Sequence, residues 1–112
     1  MTFDWQKTGI YKRFIDELSD YCSTHPSIEK LMLFGSRARG DFQQTSDIDL
    51  AIYTRNATHT EQHLIEQTIQ EMVTPLKIDV VFTDRLTNEQ LISNILQEGL
   101  VAYEQGEALR KA

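Results

Sequence analysis

Hydrophobic side chains recur at helical spacing near the start of this chain of 112 residues. Ile10, Phe14 and Leu18 are four residues apart and fall on one side of a helix. The dipeptide His25-Pro26 ends the pattern, because proline lacks the amide proton that a helix interior needs. The pattern therefore predicts a first helix that begins near Ile10 and ends before His25.

Two further segments have the same apolar periodicity. A second helix is predicted to begin after Thr58, which has a glutamate three residues on, as in a capping box, and to end at Pro75. A third helix is predicted after Thr87, which has Gln90 three residues on and so again resembles a capping box. It is predicted to end before Gly99, because glycine commonly follows the last residue of a helix.

Four short apolar segments between these helices are predicted to be strands. They cover residues 28–34, 46–53, 78–82 and 100–103. The second alternates between apolar and acidic or small residues, which is typical of a strand with one buried face. The third is predicted to be buried on both sides except at its one carboxylate.

The order of these elements predicts the fold. The first two strands are joined by only residues 35–46, whose Gly, Ser, Arg and Asp content indicates a turn with a loop or short helix. A purely parallel sheet needs longer crossovers, so a mixed sheet is expected. The predicted class is α/β (α+β), with a small mixed β-sheet flanked by helices in a single domain over residues 1–112.

Composition and charge restrict the function. With 17 acidic and 11 basic residues the formal net charge is −6, which disfavours a broad nucleic-acid surface or an anionic membrane as partner. Cys22 is the single cysteine, so neither an intrachain disulfide nor a cysteine zinc cluster is expected. Residues 1–10 do not resemble a secretory leader, and a cytoplasmic location without membrane association is expected.

Three carboxylates stand where an apolar strand disfavours them. Asp47 and Asp49 share one face of the second strand with Cα atoms ~6.5–7 Å apart, and Asp79 interrupts the apolar third strand. If these two strands pair, all three carboxylates converge. Carboxylates are the ligands that Mg²⁺ prefers, together with waters and substrate phosphates. The strands therefore predict a metal site for phosphate chemistry.

A glycine-serine turn completes this candidate site. Gly35-Ser36 follows the first strand, and glycine allows a close backbone approach while the serine and the first amides can bind phosphate oxygens. Arg37 and Arg39 supply the only cations nearby in the sequence. Both would usually be solvated, and Arg39 is the better candidate for a phosphate ligand.

These residues form one motif, in which ten residues separate the glycine-serine turn from an Asp-x-Asp pair. Its members are Gly35, Ser36, Arg39, Asp47, Asp49 and Asp79. The motif resembles that of the nucleotidyltransferases with a DNA polymerase β-like palm. It is most similar to the minimal nucleotidyltransferases, called MNT, which are paired with HEPN-domain proteins in prokaryotic toxin–antitoxin modules. The resemblance covers residues 28–82.

The resemblance implies a nucleotidyltransferase fold and a set of roles. It implies that the catalytic carboxylates, which bind two Mg²⁺ ions, are Asp47, Asp49 and Asp79. It implies that the triphosphate of ATP lies at Gly35, Ser36 and Arg39. The implied activity is transfer of AMP from ATP to a tyrosine of a HEPN ribonuclease toxin, which neutralises that partner.

Two alternatives remain open from the sequence. The chain could modify a small molecule such as an antibiotic, which would require a dimer or a helical subunit to complete the acceptor pocket. It could also be a non-catalytic antitoxin that occludes its toxin, although a pure binder has no need for three carboxylates that disfavour burial.

Two other residue patterns have simpler explanations. His59 and His63 are four residues apart, but the glutamate that zinc proteases carry after the first histidine is absent, so an exposed helix surface is expected. Cys22 is expected in the core. Lys77, two residues before Asp79, is expected to form a salt bridge with it or to touch phosphate.

Overall fold

The computed structural model describes residues 4–106 as one four-stranded sheet with helices on both faces. The strands are β1 (Ile28–Phe34), β2 (Ile48–Thr54), β3 (Ile78–Phe82) and β4 (Leu100–Glu104). The helices are α1 (Lys12–Thr24), α2 (Ser36–Arg39), α3 (His59–Gln70) and α4 (Glu89–Glu98). Short 3₁₀ turns cover Trp5–Thr8 and Thr83–Arg85.

The sheet is mixed, as the short connection between the first two strands predicts. Its strand order is β3-β2-β1-β4, in which β1 is antiparallel to both of its neighbours and β3 is parallel to β2. The parallel pair is joined through α3, as a parallel connection requires.

The main core lies between the sheet and the helices α1 and α3. Its largest fully buried apolar side chains are Phe14, Leu18, Ile28, Leu31, Leu33, Ile48, Leu50, Ile52, Ile65 and Ile69. Helix α4 covers the opposite face, where Ile95 packs with Met32 and Ala51. Because successive side chains of a strand point to opposite faces, Asp49 and Asp79 share the α4 face with Ala51 and Val81.

The helix ends differ in part from the prediction. Thr58 caps α3 as predicted, because its hydroxyl accepts a hydrogen bond from the amide of Glu61 at 3.1 Å. Helix α3 ends at Gln70, however, well before Pro75. The cap of α4 is Asn88 and not Thr87, since the Asn88 side chain accepts from the Leu91 amide at 3.0 Å.

Two strand boundaries also differ. Strand β2 begins at Ile48, so Asp47 lies just before it. The prediction that β3 is buried on both sides was wrong, because β3 is an edge strand in which Val80 and Val81 remain partly exposed. Within residues 4–106, no helix is both long and apolar enough to cross a bilayer.

Candidate active site

Asp49 and Asp79 lie opposite each other on neighbouring strands. The parallel register of β2 and β3 pairs Asp49 with Asp79, and Leu50 with Val80 after them. Both side chains point to the α4 face of the sheet. The sequence placed these two carboxylates on separate strands, and the pairing brings them together as expected.

Asp47 lies at the entrance of β2, beside the same strand pair. The next residue, Ile48, donates its amide proton to the carbonyl of Lys77 at 2.8 Å, which fixes the start of β2 against β3. Lys77 also reaches Asp79, with 3.7 Å between Nζ and Oδ1, so the predicted salt bridge is present. All three carboxylates are thus held at one end of the β2–β3 pair.

The carboxylates repel one another. Partial burial, followed in size by the negative charges of Asp79 and Asp47, raises the pKa of Asp49 to about 6, although Arg39 acts in the opposite direction. A carboxylate whose pKa is raised in this way gains from any cation that approaches it. The negative charge around Asp49 therefore favours a bound cation.

Gly35 makes room for Asp49. It follows Phe34, which pairs with Asp49 across the antiparallel β1–β2 ladder, and its φ of 77° lies in the left-handed region. A β-carbon at position 35 would overlap Asp49 Oδ2 and lie 3.1 Å from Cγ. Only glycine fits this place without a shift of the aspartate or of the backbone.

Ser36 begins the short helix α2 directly after this turn. The carbonyl of Gly35 accepts from the amides of Ala38 and Arg39 at 3.1 and 3.0 Å, which closes the turn. Ser36 is half-buried, and the first amides of a helix have no partner within it. The turn therefore presents a hydroxyl and amides beside Asp49, donors of the kind that bind phosphate oxygens.

Arg39 is exposed and already paired with two acidic side chains. Its Nη1 lies 3.0 Å from Glu98 Oε2 and its Nε lies 3.3 Å from Asp41 Oδ2. It also lines a cleft of about 470 Å³ between the first 3₁₀ turn, α2 and the start of β4, a cleft that none of the three aspartates lines. A triphosphate would have to compete with these carboxylates for Arg39.

Arg37 differs from the expectation of a solvated side chain. It is 2% exposed, and its guanidinium donates hydrogen bonds to backbone carbonyls of Thr8, Gln43, Gln44 and Ser46. Sequence reasoning missed this role. An arginine in a polar segment is expected to be exposed, and the sequence does not show that other parts of the chain cover it.

The arrangement suits a metal that is shared with a substrate. Within residues 4–106, no three His, Cys, Asp or Glu side chains are grouped closely enough to hold an ion by themselves. Mg²⁺ usually takes only one or two carboxylates and completes its shell with waters and phosphates. Repelling carboxylates beside a turn with free amides fit this kind of ion, and the metal site and the phosphate site predicted from the sequence stay predictions.

The other candidate residues lie away from this site. His59 and His63 are exposed on α3, as expected. Cys22 is fully buried, and burial raises the pKa of its thiol to about 12, so it is inert as a nucleophile.

Comparisons with known proteins give one family match and a likeness of fold. A family model described as "Polymerase beta, Nucleotidyltransferase" matches residues 16–108. No curated protein sequence matches the chain significantly. The solved structures similar to it include a toxin–antitoxin with AMP-PNP, at 18% identity and a TM-score of 0.63, covering 88% of this chain and 77% of the other.

Two more structures share the fold. One is a tri-AMPylated Shewanella oneidensis HEPN toxin in complex with MNT antitoxin, at 16% identity and a TM-score of 0.58, covering 96% of this chain and 79% of the other. Another is the toxin–antitoxin MntA-HepT, at 15% identity and a TM-score of 0.57, with coverages of 96% and 79%. At these identities the likeness is one of fold.

Proposed function

Because this chain belongs to the polymerase beta nucleotidyltransferase family, we propose that it is an MNT-type antitoxin that transfers AMP from ATP to a tyrosine of a HEPN toxin. The observation that carries the proposal is the register of Asp49 with Asp79 beneath the Gly35 turn. That register joins a carboxylate pair to a phosphate-binding turn, which are the two halves that nucleotidyl transfer needs.

The proposed reaction moves one nucleotidyl group. The acceptor hydroxyl oxygen forms a bond to the α-phosphorus of ATP, and the bond from that phosphorus to the oxygen of pyrophosphate breaks. Asp79, on the outer strand, would either help to draw the proton from the attacking hydroxyl or hold the metal that acidifies this hydroxyl. The products are an AMP ester and pyrophosphate, and most of the catalysis is positioning and charge stabilisation.

The residues divide the work between the two sides of the triphosphate. Gly35 and Ser36 would hold its oxygens through the turn, with Arg39 beside them, and Asp47, Asp49 and Asp79 would hold the two Mg²⁺ ions. When bound, these ions neutralise the triphosphate, acidify the attacking hydroxyl and stabilise the leaving pyrophosphate. The raised pKa of Asp49 supports this division, because neutralising the cluster is favourable.

The acceptor is proposed to come from a partner protein. The structural neighbours include a tri-AMPylated HEPN toxin in complex with an MNT antitoxin. This likeness supports a HEPN toxin as acceptor over a free antibiotic.

The test combines the chain with a purified HEPN ribonuclease toxin, Mg²⁺ and α-labelled ATP. The expected result is label that stays covalently on the toxin through denaturation, with loss of ribonuclease activity that persists after the antitoxin is removed. Peptide mapping should place the label on a tyrosine. Asp49→Asn should abolish labelling.

The alternatives predict different outcomes of the same experiment. Occlusion without chemistry would give unlabelled toxin, one-to-one inhibition and recovery at the dissociation rate of the complex. A small-molecule transferase would leave the toxin unlabelled and would label an antibiotic in a parallel reaction. Either result would overturn the proposed acceptor.

A further inference from the structure

The side chain of Arg37 joins two separate segments of the backbone. Its Nε donates to the carbonyl of Ser46 at 3.0 Å, and Nη2 donates to the carbonyls of Gln44 at 3.0 Å and Gln43 at 3.4 Å. On the other side, Nη1 donates to the carbonyl of Thr8 at 2.9 Å. One guanidinium thus connects the loop before β2 with the first 3₁₀ turn.

Backbone carbonyls, and not an acidic side chain, are the partners of this buried cation within residues 4–106. Among the residues that the structure describes, no carboxylate forms a salt bridge with Arg37, and the ring of Phe42 covers the guanidinium with its centroid 4.7 Å from Cζ. A buried charge is costly unless its hydrogen bonds are made. The planar fork of an arginine directs N–H groups from three nitrogens to these four carbonyls, whereas a lysine has only three donors on a single nitrogen.

Three of the carbonyls that Arg37 binds belong to the residues just before Asp47. Ser46 is the residue before Asp47. Two hydrogen bonds close the loop: the Ser46 amide donates to the Gln43 carbonyl at 3.1 Å, and the Gln43 amide donates to the Ser46 hydroxyl at 2.8 Å. On the far side of Asp47, the Ile48 amide is bound to Lys77. The backbone of Asp47 is therefore held on both sides, and one of the two anchors is Arg37.

Arg37 is also the neighbour of Ser36 in α2. Its own backbone belongs to the proposed phosphate turn, and its side chain holds the loop that carries a proposed metal ligand. We propose that Arg37 is a positioning residue that sets the place of Asp47 relative to the Gly35-Ser36 turn. This inference rests on the proposed function for its importance. The effect of the Arg37 hydrogen bonds on the loop before β2 can nevertheless be measured without any transfer reaction.

The test uses Arg37→Lys and Arg37→Gln, with Ile65→Val as a control that weakens the core on the opposite face of the sheet. Three measurements are made on each folded variant: amide hydrogen exchange across residues 43–47, the dissociation constant for Mn²⁺ alone, and the Mg²⁺ concentration that gives half-maximal transfer. Loss of a residue that orients a metal ligand typically weakens the metal site about 10–100-fold.

We expect faster exchange in residues 43–47 of the Arg37 variants, with exchange in β1 unchanged, and at least about tenfold weaker Mn²⁺ binding. The half-maximal Mg²⁺ concentration should rise by a similar factor, and high Mg²⁺ should restore much of the rate. Ile65→Val should lower the thermal midpoint without moving any of these three quantities.

Several results would overturn the positioning role. Unchanged Mn²⁺ affinity in a variant with a loosened loop would show that the position of Asp47 does not depend on Arg37. Unchanged amide exchange in residues 43–47 would show that Arg37 does not hold the loop. If neither Arg37 variant folds, its role is in folding and not in positioning. Wild-type protein that binds Mn²⁺ but transfers nothing would instead count against the proposed function, while the exchange and Mn²⁺ comparisons would still decide the role of Arg37.

Discussion

The carboxylate of Asp49 occupies the space that a side chain at Gly35 would need. A β-carbon there would overlap Asp49 Oδ2 and lie 3.1 Å from its Cγ, and the φ of 77° at Gly35 disfavours any other residue independently. The turn and the acidic strand are therefore fitted to each other. This relationship explains why a glycine and an aspartate fourteen positions apart belong to one site.

A comparison of Gly35→Ala with Gly40→Ala should separate the cost of backbone strain at a positive φ from the cost of steric overlap with Asp49. Gly40 also has a positive φ, of 96°, but a β-carbon there would meet nothing within 4 Å. Gly40→Ala should cost about 1 kcal/mol of unfolding free energy, from the backbone alone. Gly35→Ala should cost more and should displace Asp49.

The measurements are urea unfolding for stability and the transfer assay for activity. We expect Gly40→Ala to keep most of the transfer activity of its folded fraction, and Gly35→Ala to lose it. Equal stability losses in the two variants would mean that the contact between Asp49 and position 35 is relieved at no cost, contrary to the geometry.

Asp49→Asn should stabilise the metal-free protein, and more so at neutral than at acidic pH. Because the folded state raises the pKa of Asp49 to about 6, the ionised side chain opposes folding. The cost is absent below the unfolded pKa of about 3.9, develops as the pH rises through the interval to about 6, and is complete above it. The amide has no such titration.

The difference in thermal midpoint between Asp49→Asn and wild type, measured in EDTA, should therefore grow from pH 4.5 to pH 7.5. Asp41→Asn is the control, since Asp41 is exposed beside Arg39 and apart from the carboxylate pair. A constant difference across this pH range would show that Asp49 is not held at a raised pKa.

ATP should stabilise the protein only together with a divalent ion. The carboxylates repel a bare triphosphate, and a metal between them removes that repulsion. At a ligand concentration about 100 times the dissociation constant, the gain is about 2.7 kcal/mol. Thermal shifts that are equal with ATP plus EDTA and with ATP plus Mg²⁺ would contradict a metal-bridged site.

The cap of α4 gives a prediction that concerns stability alone. Asn88→Ala should cost about 1 kcal/mol, because it removes the acceptor of the Leu91 amide. Thr87→Ala should change the stability by less than about 0.5 kcal/mol, since its side chain is exposed and does not cap the helix. Chemical denaturation of both variants decides between the two residues, and a larger loss for Thr87→Ala would favour the capping box expected from the sequence.

Sequence patterns were sufficient for the elements and poor for some of their ends. The periodicity of α1 and the alternation around Asp49 follow from which faces must be buried, and both are local properties. The end of α3 at Gln70 and the cap at Asn88 depend on small differences between neighbouring residues, and proline or threonine nearby misled the prediction. Boundaries are decided by a few hydrogen bonds that many sequences could make.

The sequence by itself determined the chemistry available to this protein: an acidic pair at the start of an apolar strand, a third carboxylate on another strand, and a glycine-serine turn at a set distance before them. Only the tertiary structure decided which of these groups meet. The parallel register that brings Asp79 to Asp49, and the fold of the loop around Arg37, arise from contacts between residues far apart in the chain. Burial and partners are properties of such contacts, so an arginine that looked solvated became the anchor of the loop.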